Sequence, residues 1–224
     1  MADRDIVVVG ASAGGIEALR HLVRCLPDRL DAALFVTIHF PSDGTSVLPR
    51  ILNRAGPLPV VHPSEHESIV PGRIYIAPPD FHLLFSRGQI RLVRGPREHG
   101  HRPAIDPMFR SAAVTFGPRV VGVVLTGNLD DGTSGLAAIK HHGGLAIVQD
   151  PDDALFPSMP QSAIEHVAVD QVVAIRAMWP ALERLLHTPI EKGEFPITAN
   201  DATENEAAAS CRHSSSPSAI RATG

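Results

Sequence analysis

The chain has few cysteines: its 224 residues contain two, Cys25 and Cys211. Two thiols this far apart form neither a disulfide framework nor a set of four zinc ligands. We therefore expect a protein of a reducing compartment, the cytoplasm, and we expect no metal and no cofactor.

The sequence also lacks an excess of basic residues and any long apolar run. Lysine and arginine number 20 against 24 acidic residues, so the net charge is −4, which gives no support for a nucleic-acid partner. No apolar run approaches the roughly 18 residues of a membrane helix, and the first residues do not resemble a signal peptide. We expect neither nucleic-acid binding nor membrane insertion, and the oligomeric state is left open.

Apolar segments of two kinds alternate along most of the chain. Short runs rich in Val, Ile and Leu, typical of strands buried on both faces, alternate with segments whose apolar residues recur at helical spacing. The predicted strands are 6–9, 32–38, 60–61, 74–77, 120–125, 145–149 and 168–173, the helices 17–23, 46–55, 107–116, 134–142, 161–166 and 177–186, and a hairpin joins 81–85 to 89–93. This order predicts an α/β fold with a doubly wound, mostly parallel sheet in a Rossmann-like three-layer α/β/α arrangement, with an antiparallel hairpin.

The composition changes near residue 191. From there Ala, Ser, Thr, Asn and Glu predominate, and residues 199–224 cannot bury enough apolar surface to become ordered. The sequence therefore predicts one domain over residues 1–190 and a disordered, low-complexity tail over residues 191–224.

The first predicted strand runs directly into the glycine-rich turn Gly-Ala-Ser-Ala-Gly-Gly at 10–15. The pattern G-x-S-x-G can place the hydroxyl of Ser12 on a strained strand-to-helix elbow, beside the N–H groups of a helix N-terminus. Gly10 and Gly15 also occupy the first and last positions of a dinucleotide fingerprint, whose middle glycine is Ser12 here. A nucleophile, a phosphate-binding turn and a merely structural turn all remain open from this stretch alone.

Polar side chains follow three of the predicted parallel strands: Ser12, His39 and Asp131. Ligands of open α/β sheets bind at the carboxyl ends of the strands, so a hydroxyl, an imidazole and a carboxylate are expected at one edge. Nucleophilic acyl transfer needs this set: a base to take the serine proton and an acid to orient that base. Each residue considered alone also has a structural interpretation: Ser12 as a small turn residue, His39 as a loop histidine and Asp131 as a helix N-cap.

Five motifs in this order make the chain recognisable. They are Gly-Ala-Ser-Ala-Gly-Gly at 10–15, His-Phe-Pro at 39–41, Ile-Tyr-Ile-Ala-Pro-Pro-Asp at 74–80, Pro-Met-Phe-Arg-Ser-Ala-Ala at 107–113, and Leu-Thr-Gly-Asn-Leu-Asp-Asp-Gly at 125–132. Over residues 4–188 the chain resembles the catalytic domain of the chemotaxis protein-glutamate methylesterases, the CheB family. The resemblance implies a serine hydrolase that removes methyl groups from glutamate γ-methyl esters on cytoplasmic chemoreceptor helices, and in some members also deamidates glutamines. It places the catalytic triad on Ser12, His39 and Asp131.

The chain departs from the family pattern beside these residues. Ala13 follows the nucleophile where the family has Thr or Ser, and Asn128 and Leu129 replace Met and Gly in the loop before Asp131. The resemblance makes the backbone N–H of residue 128 an oxyanion-hole donor, and this donor survives the change to Asn. The leucine is the more disruptive change if position 129 requires a positive φ.

Further expectations concern regulation and the remaining polar residues. The first strand begins six residues into the sequence, so a stand-alone catalytic domain without a receiver domain is expected. The histidines at 62, 66, 99 and 101 are interpreted as residues of solvated loops rather than metal ligands. Arg110 either contacts an acidic partner or has a structural role.

Two alternatives to the hydrolase remain: a nucleotide- or phosphate-binding Rossmann-like module, and a non-catalytic homologue.

Overall fold

The structure, a computed structural model, describes residues 4–39 and 46–190, so the predicted tail at 191–224 lies outside the described residues. Seven strands form one sheet: β1 (Ile6–Ala11), β2 (Ala33–Ile38), β3 (Val60–Val61), β4 (Ile74–Ile76), β7 (Val120–Val124), β8 (Leu145–Gln149) and β9 (Gln171–Val173). Their order in the sheet is β3-β4-β2-β1-β7-β8-β9, and all neighbouring strands are parallel. Strands β5 (His82–Ser86) and β6 (Gln89–Val93) form the predicted antiparallel hairpin apart from this sheet.

Helices cover both faces of the sheet. They are α1 (Gly15–Arg24), α2 (Leu48–Asn53), α3 (Ile105–Phe116), α4 (Thr133–His141), α5 (Ser158–His166) and α6 (Met178–Leu186), with short 3₁₀ segments at Gly117–Arg119 and Ile175–Ala177. Helices α1, α2 and α6 pack on one face, and α3, α4, α5 and the hairpin pack on the other. The predicted doubly wound α/β/α fold is confirmed.

Strand β1 is the middle strand of the sheet, and both of its faces are buried. Val7 and Val9 pack toward α1 and α6, whereas Ile6 and Val8 pack toward α3 and the hairpin. Such alternation follows from the two-residue period of a strand, and burial on both faces explains why the run is continuously apolar. None of the helices in the described ranges is long and apolar enough to cross a membrane.

The sheet changes its winding direction at β1, which has β2 on one side and β7 on the other. Ala11, the last residue of β1, is in register with Ile38, the last residue of β2. The residues that follow them, Ser12 and His39, therefore leave the sheet at the same level. This switch point is where open α/β sheets bind ligands.

Helices α3 and α5 begin two or three residues earlier than the sequence predicted, and both have a proline in the first turn. Helix α3 begins at Ile105, before Pro107, and α5 begins at Ser158, before Pro160. Proline is tolerated in a first turn because the N–H that it lacks has no partner within the helix there. The prolines therefore lie inside these helices, whereas the sequence analysis took them for the boundaries.

Candidate active site

Ser12 lies in the turn between β1 and α1. Its N–H donates to the Thr126 carbonyl at 3.0 Å, and its own carbonyl accepts from the N–H of Gly15 at 2.9 Å. The residue of this turn with a positive φ is Gly14, at 73°, which precedes the first residue of α1. The expected strain is therefore carried by a glycine, which adopts this conformation at little cost, and not by the serine.

A chain of two hydrogen bonds joins the three predicted site residues. The Ser12 hydroxyl lies 3.0 Å from His39 Nδ1, and His39 Nε2 lies 2.7 Å from Asp131 Oδ2. The carboxylate only accepts, so Nε2 carries the hydrogen and the Nδ1 lone pair faces the hydroxyl. The side chains of His39 and Asp131 are 8% and 1% exposed. The arrangement can move a proton from Ser12 to His39 while Asp131 stabilises the resulting imidazolium.

Asp131 is held by the N-terminus of a helix other than the one it precedes. Its Oδ2 also accepts from the N–H of Ile105 at 2.8 Å, and its Oδ1 accepts from the N–H of Asp106 at 2.9 Å. Burial alone raises the pKa of Asp131, but the hydrogen bonds from His39 and from these two N–H groups outweigh burial and lower the pKa. The carboxylate is thus ionised and fixed in direction, by α3 and not as a cap of α4.

Asp106 makes the reciprocal contact. Its Oδ1 accepts from the N–H groups of Gly132 at 3.0 Å and Gly135 at 2.6 Å, at the start of α4. Asp131 therefore satisfies N–H groups at the start of α3, the helix that contains Asp106, and Asp106 satisfies N–H groups at the start of α4, the helix that follows Asp131. Burial raises the pKa of Asp106, and so does the charge of Asp131, although the bond from Gly135 opposes both. Asp106 was not among the predicted site residues, and its only signal in the sequence is an acidic residue in the first turn of a helix.

The loop before α3 carries two of the histidines predicted to lie in solvated loops. His99 is exposed, but the rings of both His99 and His101 also contact residues of the site. His99 Nε2 lies 3.1 Å from Asp106 Oδ2, and His99 Nδ1 lies 3.5 Å from Asp130 Oδ1. Burial lowers the pKa of His99, but the charges of Asp131 and Asp106 prevail, and the pKa is raised. His101 stacks on His39. Both rings belong to the surroundings of the site because α3 begins directly after this loop.

Among the described residues, one group of side chains is close enough together to hold a metal ion, and it lies at this site. Within the described ranges, His99, Asp106 and Asp131 are the three side chains whose ligand atoms all lie within 4.8 Å of one another. The His99–Asp106 hydrogen bond brings two of these side chains together, and the bonds from the N–H groups of α3 hold Asp131 beside them. His62, by contrast, has its Nδ1 2.9 Å from the carbonyl of Ile76.

The loop from Thr126 to Gly132 passes directly beside Ser12. A Cβ atom on Gly127 would lie 2.8 Å from the Cβ of Ser12, so only glycine fits there. In the described part of the chain, the backbone N–H groups of Ala13 and Asn128 have no hydrogen-bond partner. An oxyanion hole requires free N–H groups beside the nucleophile, and we predict this role for the N–H groups of Ala13 and Asn128.

Leu129 has a φ of 65° and is 67% exposed, so this position does adopt the left-handed conformation. The left-handed conformation costs a residue with a Cβ about 1 kcal/mol. We expect Leu129→Gly to raise the free energy of unfolding by up to about 1 kcal/mol, since relief of strain exceeds the added entropy of the unfolded glycine. Urea denaturation measures the change.

Leu155 provides the matched control for Leu129. It is 71% exposed, and its φ is not positive. Leu155→Gly should lower the free energy of unfolding by about 0.5–1 kcal/mol, because glycine gains only unfolded-state entropy there. Equal losses in both variants would show that the backbone at Leu129 is not strained.

Comparison with known proteins gives a consistent result. Residues 7–182 match the family model described as CheB methylesterase. A relative from Leptospira interrogans is 34% identical over 189 residues, covering 84% of this chain and 98% of that protein. The "Protein-glutamate methylesterase/protein-glutamine glutaminase 5" of Anaeromyxobacter dehalogenans is 42% identical over 185 residues, and there the alignment covers 80% of this chain but 51% of the relative.

A solved structure has the same fold. The crystal structure of the Thermotoga maritima CheB methylesterase catalytic domain superposes with a TM-score of 0.76 and 32% sequence identity, covering 82% of this chain and 97% of that one. The position where a dinucleotide-binding sheet needs an acidic residue, the end of the second strand, holds His39. The chain belongs to the CheB methylesterase family.

Proposed function

We propose that the chain hydrolyses the γ-methyl esters of glutamate residues in the cytoplasmic helices of chemoreceptors, with Ser12 as nucleophile, His39 as general base and acid, and Asp131 as the group that orients His39. The observation that carries this proposal is the hydrogen-bonded chain Ser12–His39–Asp131 at the switch point of the sheet. The names of the relatives support the substrate class.

The acylation step follows from the protonation states in this chain of hydrogen bonds. Ser12 Oγ attacks the ester carbonyl carbon as its proton moves to His39 Nδ1, and the N–H groups of Ala13 and Asn128 face the developing oxyanion. Collapse of the tetrahedral intermediate breaks the bond to the methoxy oxygen, which leaves as methanol with the proton from His39 Nδ1. The product is a glutamyl ester of Ser12.

Deacylation uses the same groups in the opposite direction. A water molecule gives a proton to His39 Nδ1 and attacks the acyl carbon, and the second intermediate expels Ser12 Oγ, which recovers the proton. Glutamate is released and the site returns to its starting state. The ionised Asp131 stabilises the imidazolium in both steps, consistent with its lowered pKa.

The rim of the site is suited to the apolar part of such a substrate. Leu155 and Phe156 are exposed beside the serine turn, where Leu155 would contact a Cβ on Gly14. Phe156 is fixed by its N–H, which donates to Thr126 Oγ1 at 2.9 Å, while its carbonyl accepts from the N–H of Gly127. These side chains can contact the methylenes of a glutamyl ester on a receptor helix.

The names of the relatives favour a second activity, deamidation of receptor glutamines. The same nucleophile would attack the γ-carboxamide, and His39 would protonate the leaving ammonia. Amide hydrolysis depends more strongly on this proton transfer because the unprotonated amide ion is a poorer leaving group than methoxide, so the nitrogen must be protonated before the C–N bond breaks. We place both activities in the cytoplasm, where these receptor helices lie.

Release of labelled methanol from a receptor fragment carrying labelled γ-methyl esters tests the substrate assignment, and covalent labelling by a fluorophosphonate tests the nucleophile. We expect methanol release and a single adduct on the peptide that contains Ser12. An adduct on another serine would overturn the assignment of Ser12. Labelling of Ser12 without methanol release would leave a serine hydrolase with a different substrate.

A further inference from the structure

The ring of His101 lies flat against the ring of His39, with 3.7 Å between the ring centroids and 6° between the ring planes. The nitrogens of an imidazole donate and accept hydrogen bonds in the plane of the ring. Two imidazole rings stacked face to face therefore cannot pass a proton directly from one to the other. The contact is therefore not that of a second general base. It covers one face of the imidazole that accepts the proton from Ser12.

The two hydrogen bonds of His39 leave one motion of its ring unrestrained. They hold the ring at Nδ1 and Nε2, so it can still rock about the line through these atoms. After acylation the Ser12 hydroxyl no longer exists, and of these two bonds only the one to Asp131 remains. A flat group against the ring face resists this motion and keeps Nδ1 directed at the leaving alcohol and the incoming water.

A short turn over residues 98–101 places His101 there. Glu98 and His101 exchange two backbone hydrogen bonds, of 3.1 and 2.8 Å. The two residues between them, His99 and Gly100, both have positive φ, at 48° and 77°. A positive φ at both central positions is typical of tight two-residue hairpin turns.

Three side-chain contacts fix this turn to the body of the domain. The Glu98 carboxylate accepts from Arg110 Nη2 on α3 at 2.8 and 2.7 Å, and His99 contacts Asp106 on the same helix. Directly after the turn, Arg102 Nε donates to Asp80 at 2.9 Å. The sequence left open whether Arg110 contacts a partner or has a structural role. In the structure it supports the 98–101 turn.

His101 is also suited to face a cation. Burial lowers its pKa, and the nearby charge of His39 lowers it further. His99 and Arg97 act in the same direction, whereas the charge of Asp131 opposes them and does not prevail. The ring is therefore neutral at neutral pH. A neutral aromatic face against an imidazolium is attractive, and this attraction is present only after His39 has taken the proton.

We propose that His101 is a positioning residue for His39, held by the 98–101 turn so that its ring restrains the imidazole and stabilises the imidazolium formed in each proton transfer. This inference rests on the proposed function of the Ser12–His39–Asp131 site. It assigns to the turn a role in the rate of the chemical steps rather than in substrate binding.

The test compares His101→Ala, His101→Leu and His101→Phe with the wild type, using kcat and KM for methanol release and the rate of fluorophosphonate labelling of Ser12. Phe retains a flat aromatic face, and Leu retains apolar volume without one. We expect Ala and Leu to lower kcat and the labelling rate about tenfold, KM to change less than twofold, and Phe to recover most of the loss. Thermal unfolding of each variant checks the fold.

Equal losses in Leu and Phe would overturn the proposal, as would a kcat for His101→Ala within twofold of the wild type or a loss confined to KM. The labelling rate separates this proposal from the proposed function. If the wild type labels at Ser12 but releases no methanol, the substrate assignment fails and the labelling rates still decide the role of His101.

Discussion

Ser12→Ala is expected to lower kcat for ester hydrolysis by about 10⁶-fold, the loss found when the nucleophile of a serine hydrolase is removed. The physical reason is that His39 then has no hydroxyl to deprotonate, so no acyl-enzyme can form. The residual rate acceleration of the variant comes from substrate binding and from the free N–H groups beside residue 12. Single-turnover release of labelled methanol measures rates this low.

The fold should survive this change. Among residues 4–39 and 46–190, the Ser12 side chain makes one hydrogen bond, to His39. The backbone bonds of the turn to Thr126 and from Gly15 do not depend on the hydroxyl. We expect a loss of at most about 1 kcal/mol in the free energy of unfolding. Ser64→Ala, at an exposed serine of a loop, is the matched control and should retain full activity.

Two outcomes would contradict the assignment of Ser12. A kcat within tenfold of the wild type would place the nucleophile elsewhere. A large loss of activity together with a large loss of stability would mean that the hydroxyl is structural. The fluorophosphonate adduct resolves the second case, because a structural serine would not be labelled.

The convergence of the three site residues could be predicted because it is a property of parallel sheets. Ser12, His39 and Asp131 follow β1, β2 and β7, and these strands are neighbours in the sheet. Carboxyl ends of parallel strands meet at one edge, so sequence patterns that locate the strands also bring these side chains together. The fold class followed from the same alternation of strand and helix.

The surroundings of the carboxylate could not be predicted in this way. The exchange of caps between Asp106 and Asp131 depends on how the N-termini of α3 and α4 pack against each other. No local pattern encodes that packing, since a helix of ordinary sequence carries its cap on the preceding residue. His99 and His101 were similarly missed, because a loop rich in Pro, Gly and His reads as solvated whether or not it folds back onto the site.

Asp131→Asn is expected to lower kcat by about 10⁴-fold, through the wrong hydrogen-bonding state of His39. Asp131 Oδ2 accepts from His39 Nε2 and the N–H of Ile105, and Oδ1 accepts from the N–H of Asp106. An asparagine amide has one acceptor and one donor group. Its NH₂ group must therefore face a donor, whichever way it is turned.

Each orientation of the amide has a cost. With NH₂ toward His39, Nε2 must accept, the hydrogen moves to Nδ1, and Nδ1 cannot take the Ser12 proton. With NH₂ toward the N–H of Asp106, two donors face each other in a buried site, which costs about 1–3 kcal/mol of stability. Neither orientation stabilises the imidazolium, since the negative charge is gone. Kinetics of methanol release and urea denaturation measure the two effects.

The pH dependence of stability gives a further readout of this substitution. The pKa of Asp131 is lowered in the folded state, so its ionisation stabilises the fold above the unfolded pKa of about 3.9, and this contribution is lost as pH falls through the lowered folded value. The difference in unfolding free energy between wild type and Asp131→Asn should therefore shrink as pH falls below about 4. Asp130→Asn, at the exposed neighbour, is the matched control and should leave kcat within a few-fold of the wild type. A kcat for Asp131→Asn within tenfold of the wild type would mean that the carboxylate caps α3 and does not orient His39.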